Sequence, residues 1–146
     1  MASEAPTDDL IRDILTNTRL IALVGASPDP SRDSHDVMRF LLRRGYHVVP
    51  VNPIYAGQEI LGRKVVGRLV EIGEPIDMVD IFRRSEAAGE AVDEAIEAGA
   101  KAVWMQLRVV NEAAAQRARA AGLKVVMNRC PKIEMPRLGI EGPAGG

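Results

Sequence analysis

Polar side chains follow each of five apolar segments of the chain, and their types favour the binding of anions. These groups are Gly25-Ala26-Ser27, Asn52-Pro53, Arg83-Arg84, Gln106-Leu107-Arg108 and Asn128-Arg129-Cys130. Guanidinium, amide and hydroxyl groups bind phosphate by charge and by hydrogen bonds. No motif pairs a nucleophile with a base, and none brings two carboxylates together, so the pattern indicates binding without catalysis.

The first group lies between a predicted strand and a predicted helix. The unbroken apolar run at Leu20–Val24 is typical of a strand that is buried on both faces of a parallel sheet. Ser34 is predicted to cap the helix that follows, and its N-terminus would offer unpaired N–H groups and a positive dipole end. This arrangement predicts a phosphate or pyrophosphate site, to which Arg32 adds charge. His35 is expected to be neutral and to act as a loop hydrogen-bonding group or a phosphate neighbour.

Alternating strand and helix patterns predict the scaffold that brings these groups together. Five strands are predicted at residues 20–24, 46–51, 76–82, 101–105 and 123–127. Helices are predicted after the N-caps Thr7, Ser34, Ser85 and Asn111, with a loop, a short extended segment and a short helix across residues 54–72. The alternation predicts an α/β fold with a doubly wound, mainly parallel, five-stranded, Rossmann-like sheet. In such sheets ligands bind beyond the carboxyl ends of the strands, where all five polar groups would lie.

Size and composition limit the classes of function. The 146 residues predict one domain over residues 1–138 and a disordered tail at 139–146. A net charge of −1 and 3% aromatic residues argue against a nucleic-acid partner. No apolar run is long enough to span a membrane and no targeting pattern is visible, so a cytoplasmic protein is expected. One cysteine excludes an internal disulfide, and with only two histidines no metal site is expected.

The turn after the first strand departs from the usual dinucleotide-binding motif. G-x-G-x-x-G is replaced by Gly25-Ala26-Ser27-Pro28-Asp29-Pro30, and the acidic residue that binds ribose is replaced by Asn52. The interpretation that the chain binds NAD is therefore less favoured, but it is not excluded. The nucleoside-triphosphate P-loop is absent.

With these residues in view, the chain resembles the CoA-binding domain family, in its stand-alone branch, which is related to the CoA-binding domain of the succinyl-CoA synthetase alpha subunit. The segments that carry the resemblance are Val24-Gly25-Ala26-Ser27 with Arg32, residues 45–53, Asp80-Ile81-Phe82-Arg83-Arg84, Trp104-Met105-Gln106 and residues 129–134. The resemblance implies that coenzyme A binds with its pyrophosphate on the first turn. Its nucleotide end would lie near Asn52-Pro53 and the end of the third strand.

Two residues depart from that family pattern. Family members often carry a lysine or arginine where Ile54 stands, and commonly a glycine where Arg108 stands. Arg108 would either supply the missing positive charge or block the site.

The resemblance favours a CoA or acyl-CoA binding protein without chemistry of its own. Two alternatives stay open: a subunit of an enzyme that uses NAD or another nucleotide, and an interaction module that has lost its ligand. A homodimer is compatible with the fold, but the sequence identifies no interface.

Cys130 is interpreted as an inert buried thiol, because a thiol is reactive only where it is exposed and has a lowered pKa. Its predicted place at the rim of the site gives a second hypothesis, in which it forms a mixed disulfide with the thiol of CoA.

Overall fold

All five predicted strands are present and form one parallel sheet. The computed structural model describes residues 5–144, with sheet strands β1 (Leu20–Val24), β2 (His47–Val51), β5 (Met78–Ile81), β6 (Ala102–Met105) and β7 (Lys124–Val126). Their order across the sheet is β2-β1-β5-β6-β7, and every neighbouring pair is parallel. The predicted doubly wound α/β fold is confirmed. Strand order reverses at β1, so a cleft can form beyond the carboxyl ends of β1 and β5.

Helices cover both faces of the sheet, since each strand is apolar on both sides. The helices are α1 (Asp8–Asn17), α2 (Asp33–Arg43), α3 (Ser85–Glu97), α4 (Glu112–Ala120) and α5 (Pro131–Leu138). Helices α1, α2 and α5 share one core with Ile21 and Leu23 of β1, whereas α3 and α4 share the other with Ala22 and Val24. Alternate residues of a strand point to opposite faces, which places β1 between two apolar cores.

Two of the four predicted N-caps are confirmed and two are wrong. The side chains of Thr7 and Asn111 accept hydrogen bonds from Leu10 N and Ala114 N, as N-caps do. Helices α2 and α3 instead begin after Arg32 and Arg84, which make no side-chain cap bonds, and Ser34 and Ser85 lie inside the first turns. The Ser85 hydroxyl is used in a tertiary contact, because it accepts a hydrogen bond from Val110 N at 3.0 Å.

Helix α5 and a small hairpin add to the predicted elements. Pro131 occupies the first turn of α5, where a missing N–H costs nothing, and Gly139 ends the helix with φ +68°. The sequence signal is weak because the helix is short and contains Pro136, and packing against α1 and α2 holds it in place. Strands β3 (Glu59–Ile60) and β4 (Arg63–Lys64) form an antiparallel hairpin within the predicted loop. Short 3-10 helices occupy Pro53–Tyr55 and Leu69–Glu71, the second of which falls on the predicted short helix.

Residues 139–144 lie against the domain, although the sequence predicts a disordered tail there. Ile140 is buried, its carbonyl oxygen accepts a hydrogen bond from Arg44 Nη1 at 2.8 Å, and Ala144 N donates to Thr16 O at 2.8 Å. The packed region therefore extends beyond Leu138, while residues 145–146 lie outside the described residues. Within residues 5–144, no helix has the length and apolar character needed to cross a membrane.

Candidate ligand-binding site

An open cleft of about 750 Å³ lies beyond the carboxyl ends of β1, β2, β5 and β6. This volume falls in the range of small-molecule and cofactor sites. The residues that line it come from the four strand ends and the start of α2: Gly25, Ala26, Ser27, Asp29, Ser31, Arg32, Asp33, Ser34, Asn52, Ile54, Tyr55, Phe82, Arg83, Arg84, Leu107, Arg108 and Val109. The structure therefore brings together four of the polar groups expected at this edge.

Most of the predicted site residues line the cleft: Gly25, Ala26, Ser27, Arg32, Ser34, Asn52, Arg83, Arg84 and Arg108. Three others do not line it. His35 is buried on the inner side of α2, with its Nδ1 at 3.4 Å from Arg39 Nη2. Pro53 begins the 3-10 helix beside the cleft, and Gln106 is buried beneath it.

Gly25 lets the turn after β1 approach the end of β5. Its φ is +89°, and a Cβ at this position would lie 2.2 Å from the carbonyl oxygen of Phe82. Both the left-handed backbone and the close contact require glycine. The floor of the cleft therefore depends on the absence of a side chain at residue 25.

Three backbone N–H groups at the turn are free to donate hydrogen bonds, those of Ser27, Asp33 and Ser34. Gly25 N and Ala26 N donate to Val51 O, at 3.0 and 3.4 Å, so they are not free for an anion. The backbone N–H groups of Ser27, Asp33 and Ser34 have no partner among residues 5–144. Two of these open α2, where unpaired N–H groups and the helix dipole favour negative charge.

Asn52 fastens the end of β2 to the turn after β1. Its Nδ2 donates to Ala26 O at 2.9 Å, its Oδ1 accepts from Ile54 N at 3.0 Å, and its backbone N donates to Val66 O at 2.9 Å. The side chain is buried, and these bonds use its amide on both sides. Asn52 therefore shapes the wall of the cleft between β1 and β2.

Positive charge dominates the cleft although the whole chain is slightly acidic. Arg32, Arg83, Arg84 and Arg108 line it against two aspartates, Asp29 and Asp33. Over residues 5–144, only Arg84 of these four forms a salt bridge, at 3.9 Å to exposed Glu86. Hydrogen bonds from Ser31 and then the charge of Arg32 hold the pKa of Asp29 below its usual value. Three guanidinium groups are thus available to an anionic ligand.

A buried polar cluster lies beneath the cleft, on the sheet face that packs against α2 and α5. Asp80 of β5 is fully buried, and its two carboxyl oxygens have no hydrogen-bond partner among the described residues. The Gln106 side chain lies next to the Cys130 thiol, and its Oε1 also lacks a hydrogen-bond partner within residues 5–144. Burial raises the pKa of Asp80 well above its usual value and also raises that of the Cys130 thiol. Cys130 is therefore a protonated, buried thiol, in line with the inert interpretation.

Seven lining residues were not part of the polar pattern: Asp29, Ser31, Asp33, Ile54, Tyr55, Phe82 and Val109. Asp29, Ser31 and Asp33 lie between predicted residues of the first turn and α2, so their position in sequence was the available signal. Phe82 and Val109 adjoin predicted polar groups in the same way. Nothing in the sequence indicated that Tyr55 would line the cleft, because its position there depends on the 3-10 helix that follows Asn52.

Comparison with known proteins gives a consistent result. A family model described as CoA binding domain matches residues 19–136. YneT, an uncharacterized protein of Bacillus subtilis strain 168, is 41% identical over 128 residues, which cover 88% of this chain and 93% of YneT. A hypothetical protein from Pyrococcus horikoshii OT3 has a structure that is similar with a TM-score of 0.86 and 46% identity, over 94% of this chain and 99% of that one.

A larger enzyme contains a similar domain. The dinucleotide-forming acetyl-coenzyme A synthetase 1 of Ca. Korarchaeum cryptofilum, in complex with phosphate and ADP, matches with a TM-score of 0.66 and 28% identity. The match covers 82% of this chain but only 27% of the synthetase.

Proposed function

Because this chain belongs to the CoA binding domain family, we propose that it binds coenzyme A or an acyl-CoA in the cleft and has no chemistry of its own. The observation that carries the proposal is the cleft itself, where free N–H groups at the start of α2 and unpaired arginines surround one space. A pyrophosphate needs such donors and positive charge, and an extended nucleotide needs an open cleft of this size.

The pyrophosphate would bind at the turn after β1. Ser27 N, Asp33 N and Ser34 N would donate to its oxygens, and Arg32 would neutralise its charge. Gly25 and Ala26 would contribute shape, since their N–H groups are bound to Val51 O.

The adenosine end would lie across the ends of β2 and β5. Ile54 and Tyr55 line one side of that region and Phe82 the other, so a flat base would meet apolar and aromatic surface. Asn52 would hold this wall in place, with Pro53 fixing the direction of the chain. Arg83 and Arg84 add positive charge at the β5 end.

A binding function is supported by the side chains that the cleft offers. Its described lining contains serine hydroxyls but no histidine, cysteine or lysine, and His35 and Cys130 lie outside it. The one serine hydroxyl bound to a carboxylate in this lining is that of Ser31, which donates to Asp29 Oδ1 at 2.8 Å. Because the hydrogen bonds from Ser31 hold the pKa of Asp29 below its usual value, this carboxylate is a weak base and activates the hydroxyl poorly.

The test is calorimetric titration of the purified protein with CoA, acetyl-CoA, NAD and ADP. CoA is expected to bind and NAD is not. Arg32→Ala should weaken CoA binding by about tenfold, the usual value of one charge-assisted contact. Arg43→Ala is the matched control, because Arg43 is an exposed arginine at the opposite end of α2, about 15 Å away.

Each other outcome has a definite meaning. NAD binding without CoA binding would favour the alternative of an enzyme subunit that uses NAD, and binding of neither would favour an interaction module. An equal loss of affinity in the two variants would remove Arg32 from the site.

A further inference from the structure

We propose that Arg108 binds a second anionic group of the ligand, separate from the pyrophosphate. This inference rests on the proposed function and specifies the chemical class of the ligand. The second anion would be either a phosphate on the ribose, as in CoA itself, or a carboxylate at the end of an acyl group. Arg108 would then determine which CoA derivatives bind.

The backbone of Arg108 has a conformation that favours glycine. Its φ is +71°, in the left-handed region, and its hydrogen-bond partner Asn128 has φ +59°. Asparagine adopts this region more readily than other residues with a side chain, whereas arginine has no such advantage. A glycine at residue 108 would follow the same path without strain. Residue 108 thus carries a long cationic side chain where glycine would be free of backbone strain, which favours a role for that side chain.

The turn that carries Arg108 is fixed from both sides. Arg108 N donates to Asn128 Oδ1 at 2.7 Å, and Arg108 O accepts a hydrogen bond from Ser85 Oγ at 3.3 Å. Ser85 Oγ in turn accepts from Val110 N, so the start of α3 and the end of β7 hold this turn. A rigid backbone limits where the guanidinium group can go, which favours a defined binding role.

The side chain itself is available to a ligand. Arg108 is exposed and lines the cleft, and its guanidinium group has no hydrogen bond or salt bridge among the described residues. By contrast, Arg44, Arg117 and Arg137 are each bound to carbonyl or carboxylate groups of the protein. A guanidinium fork matches the oxygens of a phosphate or a carboxylate equally well.

The position of Arg108 separates it from the pyrophosphate site. Arg108 follows β6, whereas the turn with the free N–H groups follows β1, and β5 lies between these two strands. Two strand spacings amount to about 10 Å, which exceeds the length of a pyrophosphate. Arg32 and Arg108 would therefore contact different parts of one extended ligand.

The experiment compares four ligands and three proteins by calorimetry. The ligands are CoA, dephospho-CoA, acetyl-CoA and succinyl-CoA, which differ in the ribose phosphate and in the acyl carboxylate. The proteins are the parent, Arg108→Gln, which removes the charge, and Arg108→Gly, which also removes the backbone strain. Both variants should unfold within about 2 °C of the parent or above it, because Arg108 is exposed and glycine suits its φ.

A ribose phosphate as the second anion predicts that both variants bind CoA about tenfold more weakly and dephospho-CoA as the parent does. An acyl carboxylate predicts the same loss for succinyl-CoA alone. Equal weakening for all four ligands would overturn the inference, since Arg108 would then act on a part they share. Unchanged binding of all four by the variants would overturn it as well. If the parent binds none of the ligands, the proposed function fails and the inference with it.

Discussion

Replacing Asp80 by asparagine should change how the stability of the protein depends on pH. Asp80 lies in the middle strand of the sheet, opposite Leu23 and Trp104, and none of its surface is exposed. Because burial raises the pKa of Asp80, the folded protein keeps this carboxyl group protonated at pH values where the unfolded chain has released the proton. Asp80→Asn has almost the same shape and cannot ionise.

The sign and size of this pH effect follow from the difference in proton binding between the folded and the unfolded protein. Between the unfolded pKa near 4 and the raised folded pKa, the folded state binds one more proton, so the parent loses stability as the pH rises. The loss is about 1.4 kcal/mol per pH unit, and it stops above the folded pKa. The asparagine variant lacks this term, so its free energy of unfolding should rise relative to the parent by the same amount per unit. On heating, that difference corresponds to about 3 to 6 °C per pH unit.

Urea denaturation at several pH values from 5 to 8, at constant ionic strength, measures the difference. Asp77→Asn serves as the control. Burial opposes ionisation of Asp77, but hydrogen bonds from Leu20 N and Arg19 N and from Lys101 hold its pKa below the usual value. Asp77 is then ionised in both the folded and the unfolded protein from pH 5 to 8. The free energy of unfolding of Asp77→Asn should therefore differ from that of the parent by the same amount at every pH. A constant difference for Asp80→Asn as well would refute the reasoning, because Asp80 would then be ionised in the folded protein.

Two further predictions concern the turn and the thiol. Gly25→Ala should cost about 3 kcal/mol in urea denaturation, whereas Gly122→Ala should cost about 1 kcal/mol, because φ is positive at both residues but only the first added Cβ meets a neighbour, Phe82 O at 2.2 Å. Equal losses would mean that the turn moves to accommodate the methyl group. Cys130 should form no adduct with CoA disulfide in the native protein and should form one in urea, as read by intact mass, because burial raises the pKa of its thiol. A native adduct would instead support a mixed disulfide with CoA.

Much of the site could be predicted because its residues follow strands that are visible as apolar runs. The pattern at Leu20–Val24 requires a strand with two buried faces, and parallel strands place their carboxyl ends at one edge. The residues just after each strand therefore come together at this edge, and the details of side-chain packing do not change that. This is why Ser27, Arg83 and Arg108 line one cleft. His35, Pro53 and Gln106 are equally close to strand or helix ends, but the side of the element on which each lies was not visible in the sequence.

Local patterns were less informative where a residue has a distant partner. Ser85 looks like an N-cap, but its hydroxyl binds Val110, which is 25 residues away. Helix α5 looks like irregular chain because of its prolines, and it is stabilised by α1 and α2. In each instance a long-range contact outweighs a local preference of about 1 kcal/mol.

Periodicity and the order of elements were enough to predict the fold class, the parallel sheet and the edge of the sheet at which the candidate site lies. Three features became visible only in the folded chain: which backbone donors are free, why residue 25 must be glycine, and the left-handed backbone of Arg108. Those features come from hydrogen bonds and close contacts between strand ends that are far apart in sequence, such as Gly25 with Val51 and Arg108 with Asn128. Their geometry is set when the sheet assembles, and no local run of residues encodes it.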